Sequence, residues 1–148
     1  MSRRRRVEVL HGVNLDQLGR RDPAHYGGID LAQLDRRVAE FGAELDIAVS
    51  FFQTNHEGAY VERLHRLSDV ADAAILNPGA WTHYAWSLHD ALELAGVPAV
   101  EVHLSDVAAR EPWRQQSVIA PLCVETISGR GVDGYRDALV ALRRVLDD

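Results

Sequence analysis

Short apolar runs alternate with stretches of helical spacing along the whole chain, and this restricts the fold more than any other feature. Val7-Glu8-Val9-Leu10 reads as a first strand, Ile47 to Phe52 as a second, Ala73 to Leu76 as a third and Ala99 to Val102 as a fourth, and Pro121 to Ile127 contains a fifth. Between them, Asp30 to Leu45 carries Leu31, Leu34, Val38, Phe41 and Leu45 at helical spacing, with Asp30 and Gln33 as a capping box. Glu57 to Leu67 repeats that spacing through Val61, Leu64 and Leu67. Thr82 can cap a third helix reaching about Ala95, and Gly96-Val97-Pro98 ends it. A short helical piece is expected near Pro112 to Gln116. Asp133 is placed to cap a last helix with Tyr135, Leu139, Leu142 and Leu146 on one face.

Strands alternating with helices imply parallel β-α-β units. Five strands in 148 residues predict an α/β, flavodoxin-like, three-layer fold with a five-stranded parallel sheet, read as one domain over residues 1–148. Ligands of such sheets bind beyond the carboxyl ends of the strands. That directs attention to residues 11–26, 77–83 and 101–114.

Composition excludes several classes. The net charge is −6, against nucleic acid as a partner. The basic run Arg3 to Arg6 reads as a solvated tail leading into the first strand. Cys123 is the single cysteine, which leaves no intrachain disulfide, and its predicted place in a buried strand makes it an inert core thiol. No apolar stretch is long enough to span a bilayer, and Val7 to Leu10 is too short for a secretory h-region, so a cytoplasmic protein is expected. All 16 basic residues are arginine. Lysine Schiff-base chemistry and a Walker phosphate loop are therefore both excluded. The histidines show neither HxxxH nor HxH pairing, so no metal site is expected.

The three loops concentrate polar groups. Tyr26 is a candidate base if Arg21 and Arg114 flank it, since an opposite charge typically lowers a pKa by roughly 1–3; the alternative is a loop tyrosine packing on Pro23. His103 suits acid–base work, with Glu101 two residues earlier on the same side of the strand to orient it. A satisfied core histidine beside a solvated glutamate is the other reading. Asn77 and His83 suit binding of a hydroxylated anion, although turn chemistry and capping use the same residue types.

Four motifs in order resemble the type II dehydroquinase family. The run His11-Gly12-Val13-Asn14-Leu15-Asp16-Gln17-Leu18-Gly19-Arg20-Arg21-Asp22-Pro23-Ala24-His25-Tyr26-Gly27 is similar to N-G-P-N-L-N-x-L-G-x-R-E-P-x-x-Y-G. Phe52 to Gly58 resembles F-Q-S-N-H-E-G, and Leu76 to His83 resembles I-N-P-G-A-x-T-H. Val100 to Ser105, with Ala109 to Arg114, resembles V-E-V-H-L-S-N-x-x-A-R-E-x-F-R.

The resemblance implies a shikimate-pathway lyase that eliminates water from 3-dehydroquinate through an enolate, without metal or cofactor. It implies Tyr26 as base, Arg21 and Arg114 favouring its anion, and Asn14 holding the water that stabilises the enolate. His103 protonates the leaving hydroxyl, with Glu101 behind it. Asn77, His83 and Arg114 hold ring hydroxyls, the backbone at Leu104 and Ser105 binds the substrate carboxylate, and Arg110 completes the pocket with a neighbouring subunit's Asp90. Residues 20–26 form a mobile lid. Trimers assembled into a dodecamer are also implied.

Departures from the pattern surround these positions. They are His11, Val13, Asp16, Tyr84, Ala85, His89, Asp106 and Gln116. Tyr84 adds bulk and Asp106 adds charge near an expected anion site, which motivates an alternative: a paralogue dehydrating a related ring such as aminodehydroquinate or a natural-product intermediate. A flavin- or phosphate-binding module would need Ser, Thr and Gly after strand one, where Asn, Asp, Gln and Arg stand. A phosphoacceptor receiver would need an aspartate where Asn77 stands and a lysine that is absent. A non-catalytic scaffold is the remaining alternative.

Overall fold

The computed structural model describes residues 5–148. Five strands are present: β1 (Arg5–His11), β2 (Ile47–Gln53), β3 (Ala73–Asn77), β4 (Ala99–His103) and β5 (Glu125–Ser128). All pairings are parallel, in the order β2-β1-β3-β4-β5. That is the flavodoxin-like arrangement, with its switch point between β1 and β3. Helices follow as α1 (Pro23–Tyr26), α2 (Leu31–Glu44), α3 (Glu57–His65), α4 (Leu67–Val70), α5 (Trp86–Ala95) and α6 (Asp133–Asp147).

The central strands β1, β3 and β4 are buried on both faces, so period-2 alternation vanishes and they read as apolar runs. One face packs Val7 and Val9 against Leu34, Val38 and Phe41 of α2 and Tyr135, Leu139 and Leu142 of α6. The other packs Leu10, Ala74 and Leu76 against Tyr60 and Leu64 of α3 and Leu88, Ala91 and Leu92 of α5. Each fully buried leucine contributes about 1.5–3 kcal/mol relative to exposure. Asp30 caps α2 as expected: its side chain accepts from Gln33 N–H while Gln33 returns a bond to Asp30 N–H.

Several boundaries differ from the expectation. Thr82 caps no helix. It lies in a 3₁₀ turn (Gly79–His83), and α5 begins at Trp86, because the Thr82 hydroxyl is drawn inward to Glu101 at 2.5 Å. Asp133 is the first residue of α6 rather than its cap, which falls on Val132. The helix expected to run to Leu67 breaks at Arg66, where the backbone leaves the helical region. Cys123 sits after a 3₁₀ turn (Ala120–Leu122), outside β5. It is half-buried, and burial pushes its thiol up to about 12, which keeps it protonated at neutral pH. Arg3 and Arg4 lie outside the described residues. Arg5 and Arg6 already belong to β1 and pair with Asp147 and Asp72.

Two glycines set the carboxyl end of the sheet. A Cβ on Gly12 would stand 2.2 Å from the Pro78 carbonyl oxygen. Gly79 has φ +67°, and a Cβ there would meet the Val13 carbonyl oxygen at 2.6 Å. The loops after β1 and β3 therefore touch backbone to backbone, which only glycine permits.

Candidate active site

The loops after β1, β3 and β4 enclose a cavity of about 120 Å³ at the carboxyl end of the sheet. Asn14, Arg21, Tyr26, Asn77, His83, His103, Leu104, Ser105, Arg110 and Arg114 all line it. Glu101 stands behind it, fully buried in β4. Asp90 does not reach the cavity of its own chain; its side chain is exposed on α5 beside His89.

Asn14 adopts a left-handed backbone, φ 67°, and its N–H donates to Asn55 Oδ1 at 2.8 Å. Asn55 also donates to Asp16 Oδ2 at 3.0 Å. Asp16, a departure from the family motif, thus helps hold the loop that carries Asn14.

Tyr26 ends the short helix α1, and Asp22 caps that helix by accepting from Ala24 N–H. The guanidinium of Arg110 donates from Nη1 to the Tyr26 hydroxyl at 2.6 Å. Arg21 lies 4.1 Å over the ring centroid. Arg114 does not flank Tyr26 as expected. Its Nε donates to Glu111 while its guanidinium stacks on Trp113 at 4.1 Å. The swap follows from reach: Arg110 extends from the loop after β4 across the cavity, while the 3₁₀ turn Pro112–Gln115 turns Arg114 back onto its own neighbours. Arg110 Nε is buried and has no hydrogen-bond partner among the described residues.

His103 donates from Nε2 to Glu101 Oε2 at 2.5 Å, leaving Nδ1 as its second nitrogen. Glu101 also accepts from Thr82 at 2.5 Å, Ser117 at 2.7 Å and Thr126 at 3.5 Å. Burial drives this carboxyl toward neutrality, but the His103 bond and charge, with the Thr82 and Ser117 hydroxyls, outweigh it. The net position is below the ordinary carboxylate range, so Glu101 is an anion at neutral pH. Thr82 and Ser117 were missed in the sequence because a buried carboxylate 16 to 19 residues away leaves no local signal.

His83 Nδ1 donates to the Gln116 carbonyl at 2.7 Å. Its ring stacks on that of His103 at 6.4 Å and meets Trp113 edge-on at 5.3 Å. Desolvation lowers its pKa, and the nearby His103 and Arg114 charges act in the same sense against the opposing Gln116 bond. A neutral His83 whose Nδ1 donates to Gln116 keeps Nε2 as an acceptor for a ring hydroxyl. The Gln116 contact uses backbone only, so this position tolerates a residue other than histidine. Asn77 accepts from Gly79 N–H at 3.2 Å and donates to the Tyr135 hydroxyl at 3.2 Å. Asn77 therefore forms the turn and also lines the cavity.

The two substitutions that motivated a different substrate do not face the cavity. Tyr84 is exposed on the α5 side. Asp106 accepts from Ala108 N–H at 3.2 Å, capping a 3₁₀ turn (Val107–Ala109) as an asparagine would.

A parallel α/β sheet thus carries a tyrosine, a carboxylate-backed histidine and three arginines around one cavity at its carboxyl end, the arrangement expected of a dehydratase of this fold. The class II dehydroquinase family model matches residues 5–143. A 3-dehydroquinate dehydratase from Pelobacter propionicus is 49% identical over 144 residues, covering 97% of each chain. Another from Leptothrix cholodnii is 48% identical, covering 95% of this chain and 93% of that one. The crystal structure of a type II dehydroquinase from Propionibacterium acnes superposes with a TM-score of 0.87 at 37% identity, covering 100% of this chain and 99% of that one. The chain belongs to the class II dehydroquinase family.

Proposed function

We propose that this chain is a hydro-lyase that converts 3-dehydroquinate to 3-dehydroshikimate by trans-elimination of water. The observation that carries the reading is the Tyr26 hydroxyl held 2.6 Å from Arg110 Nη1, in the same cavity as His103 backed by Glu101.

Tyr26, as phenolate, takes the proton alpha to the ketone. Arg110 at the oxygen and Arg21 over the ring stabilise negative charge on that side chain. The C–H electron pair moves into the carbonyl, giving an enolate, whose oxygen is served by a water held at Asn14. The enolate then collapses. The carbon–oxygen bond beta to the carbonyl breaks, and protonated His103 gives its proton to the departing hydroxyl, which leaves as water. Transfer of the proton from Tyr26 back to His103 restores the starting state. Glu101 holds the imidazole in one orientation and stabilises its cation. Leu104 and Ser105 backbone, with Arg110, receive the substrate carboxylate, while Asn77, His83 and Arg114 take ring hydroxyls.

In this reading the enzyme works in the cytoplasm, needs no cofactor and assembles from trimers into a dodecamer, with Asp90 of each chain reaching a neighbouring site. Among the described residues no helix is long and apolar enough to cross a membrane. The test is an ultraviolet assay for the conjugated enone carboxylate with wild type and Tyr26→Phe. Turnover that the variant abolishes supports the reading. A well-folded oligomer without turnover overturns it.

A further inference from the structure

His11 closes β1 with its side chain fully buried on the α2 face of the sheet. Its Nε2 lies 2.7 Å from Asp35 Oδ1 of α2, so that nitrogen carries the proton and donates to the carboxylate. Nδ1, then a lone-pair acceptor, is buried and has no hydrogen-bond partner among the described residues. The ring is stacked on Phe51, centroids 6.3 Å apart and planes 6° from parallel. Tyr135 lies 6.4 Å away on its other contact, tilted by 53°. Tyr135 in turn accepts the Asn77 amide bond, and Asn77 is the register partner of His11 across β1 and β3.

Burying a polar atom without a hydrogen bond costs stability, and Nδ1 of His11 is such an atom. A hydrocarbon would fill the space beside Phe51 without leaving a nitrogen unsatisfied. What the imidazole adds is a fixed orientation: the Asp35 bond locks its plane, and its plane limits where the Tyr135 ring can stand. Asn77 has no freedom of its own. Its oxygen is committed to Gly79 and its amide to Tyr135, so the position of Tyr135 sets how Asn77 faces the cavity.

We propose that His11, locked by Asp35, is a positioning residue for substrate binding that acts through Tyr135 on the orientation of Asn77 in the cavity. The inference rests on the proposed dehydratase reading for its kinetic consequence. The geometric part stands without it.

Two readouts separate these. The first is kinetic. His11→Leu and Asp35→Leu each raise KM for 3-dehydroquinate roughly tenfold with kcat within about threefold, as expected for loss of ground-state positioning. His11→Gln places an amide nitrogen where Nε2 stood, restores the bond to Asp35 and recovers most of the loss. The double variant His11→Leu/Asp35→Leu is no worse than either single one, because the residues act as one unit. The second readout is the Asn77 side-chain amide pair in a ¹H–¹⁵N spectrum of the ligand-free protein. It moves in His11→Leu and returns in His11→Gln. Equal KM for the Leu and Gln variants, additive losses, or an Asn77 signal that His11→Leu leaves in place would each overturn the proposal. If the wild type shows no turnover, the dehydratase reading fails and the spectrum alone decides the positioning claim.

Discussion

The Tyr26 hydroxyl and Arg110 Nη1 stand 2.6 Å apart, although 84 residues separate them in the chain. The contact joins the loop after β1 to the loop after β4 across the cavity mouth, and it leaves Arg21 to cover the ring face at 4.1 Å. Two guanidiniums thus address one phenol, one at the oxygen and one at the ring.

They should not contribute equally. Arg110→Ala removes the donor at the oxygen that carries the phenolate charge and should lower kcat by roughly 10²-fold, while Arg21→Ala, acting through the ring face, should cost less in kcat. Steady-state kinetics of both variants check the order. Arg114→Ala should act mainly on KM, since Arg114 is held by Glu111 and Trp113 rather than by Tyr26.

Glu101 links the site to acid stability. Its carboxyl is held below the ordinary range in the folded chain. A group whose folded pKa is depressed contributes stability above its unfolded pKa and loses it as pH falls through the folded one. Wild type should therefore exceed Glu101→Gln in melting temperature at neutral pH, and the difference should shrink as pH drops below the ordinary glutamate pKa of about 4.3. Thermal unfolding of both chains across pH 3–7 measures it; a gap that widens in acid would contradict the assignment.

The buried carboxylate of Glu8 receives two bonds from Arg63, at 2.6 and 2.9 Å, and a third from Ser50 at 3.4 Å. Arg63→Ala strands that charge inside the α3 face of the sheet. Urea unfolding should show a loss of about 3 kcal/mol, toward the lower end for a broken buried pair because Arg63 remains partly solvated. Glu8→Gln combined with Arg63→Ala should recover part of it.

Tyr84 and Asp106 offer a test of substrate identity. Neither lines the cavity, and Asp106 is spent on a turn cap. Tyr84→Thr and Asp106→Asn together should leave kcat/KM for 3-dehydroquinate within about threefold, as surface changes away from a site generally do. A marked gain for the reverted chain, or a switch in preference between dehydroquinate and its amino analogue, would point to a retuned ring specificity.

The sheet was legible in the sequence because its central strands are buried on both faces and so appear as uninterrupted apolar runs, and the α2 cap because Asp30 and Gln33 are three residues apart. What failed was local chemistry overridden by distant partners. Thr82 has the form of a helix cap, yet Glu101 claims its hydroxyl. Arg114 has the same charge as Arg110, and only the path of the loop after β4 decides which of them meets Tyr26. His11 looked like a mere departure from a motif. Its partner Asp35 lies in the second turn of α2, 24 residues further along the chain, and no spacing rule joins a strand end to it. The residues that line the cavity were nameable through four motifs, while Ser117 and Tyr135, which brace Glu101 and Asn77, were not.

Trans-elimination with Tyr26 as base and His103 as acid dictates which hydrogen leaves the substrate. It is tested most directly with two samples of 3-dehydroquinate, each deuterated on one face of the methylene between the ketone and the carbon that loses its hydroxyl. Mass spectrometry of the product reports which label is lost. The deuterium trans to the hydroxyl should be lost and the cis one retained, with Tyr26→Phe forming no product from either. Loss of the cis label, or product from Tyr26→Phe at the wild-type rate, would contradict it.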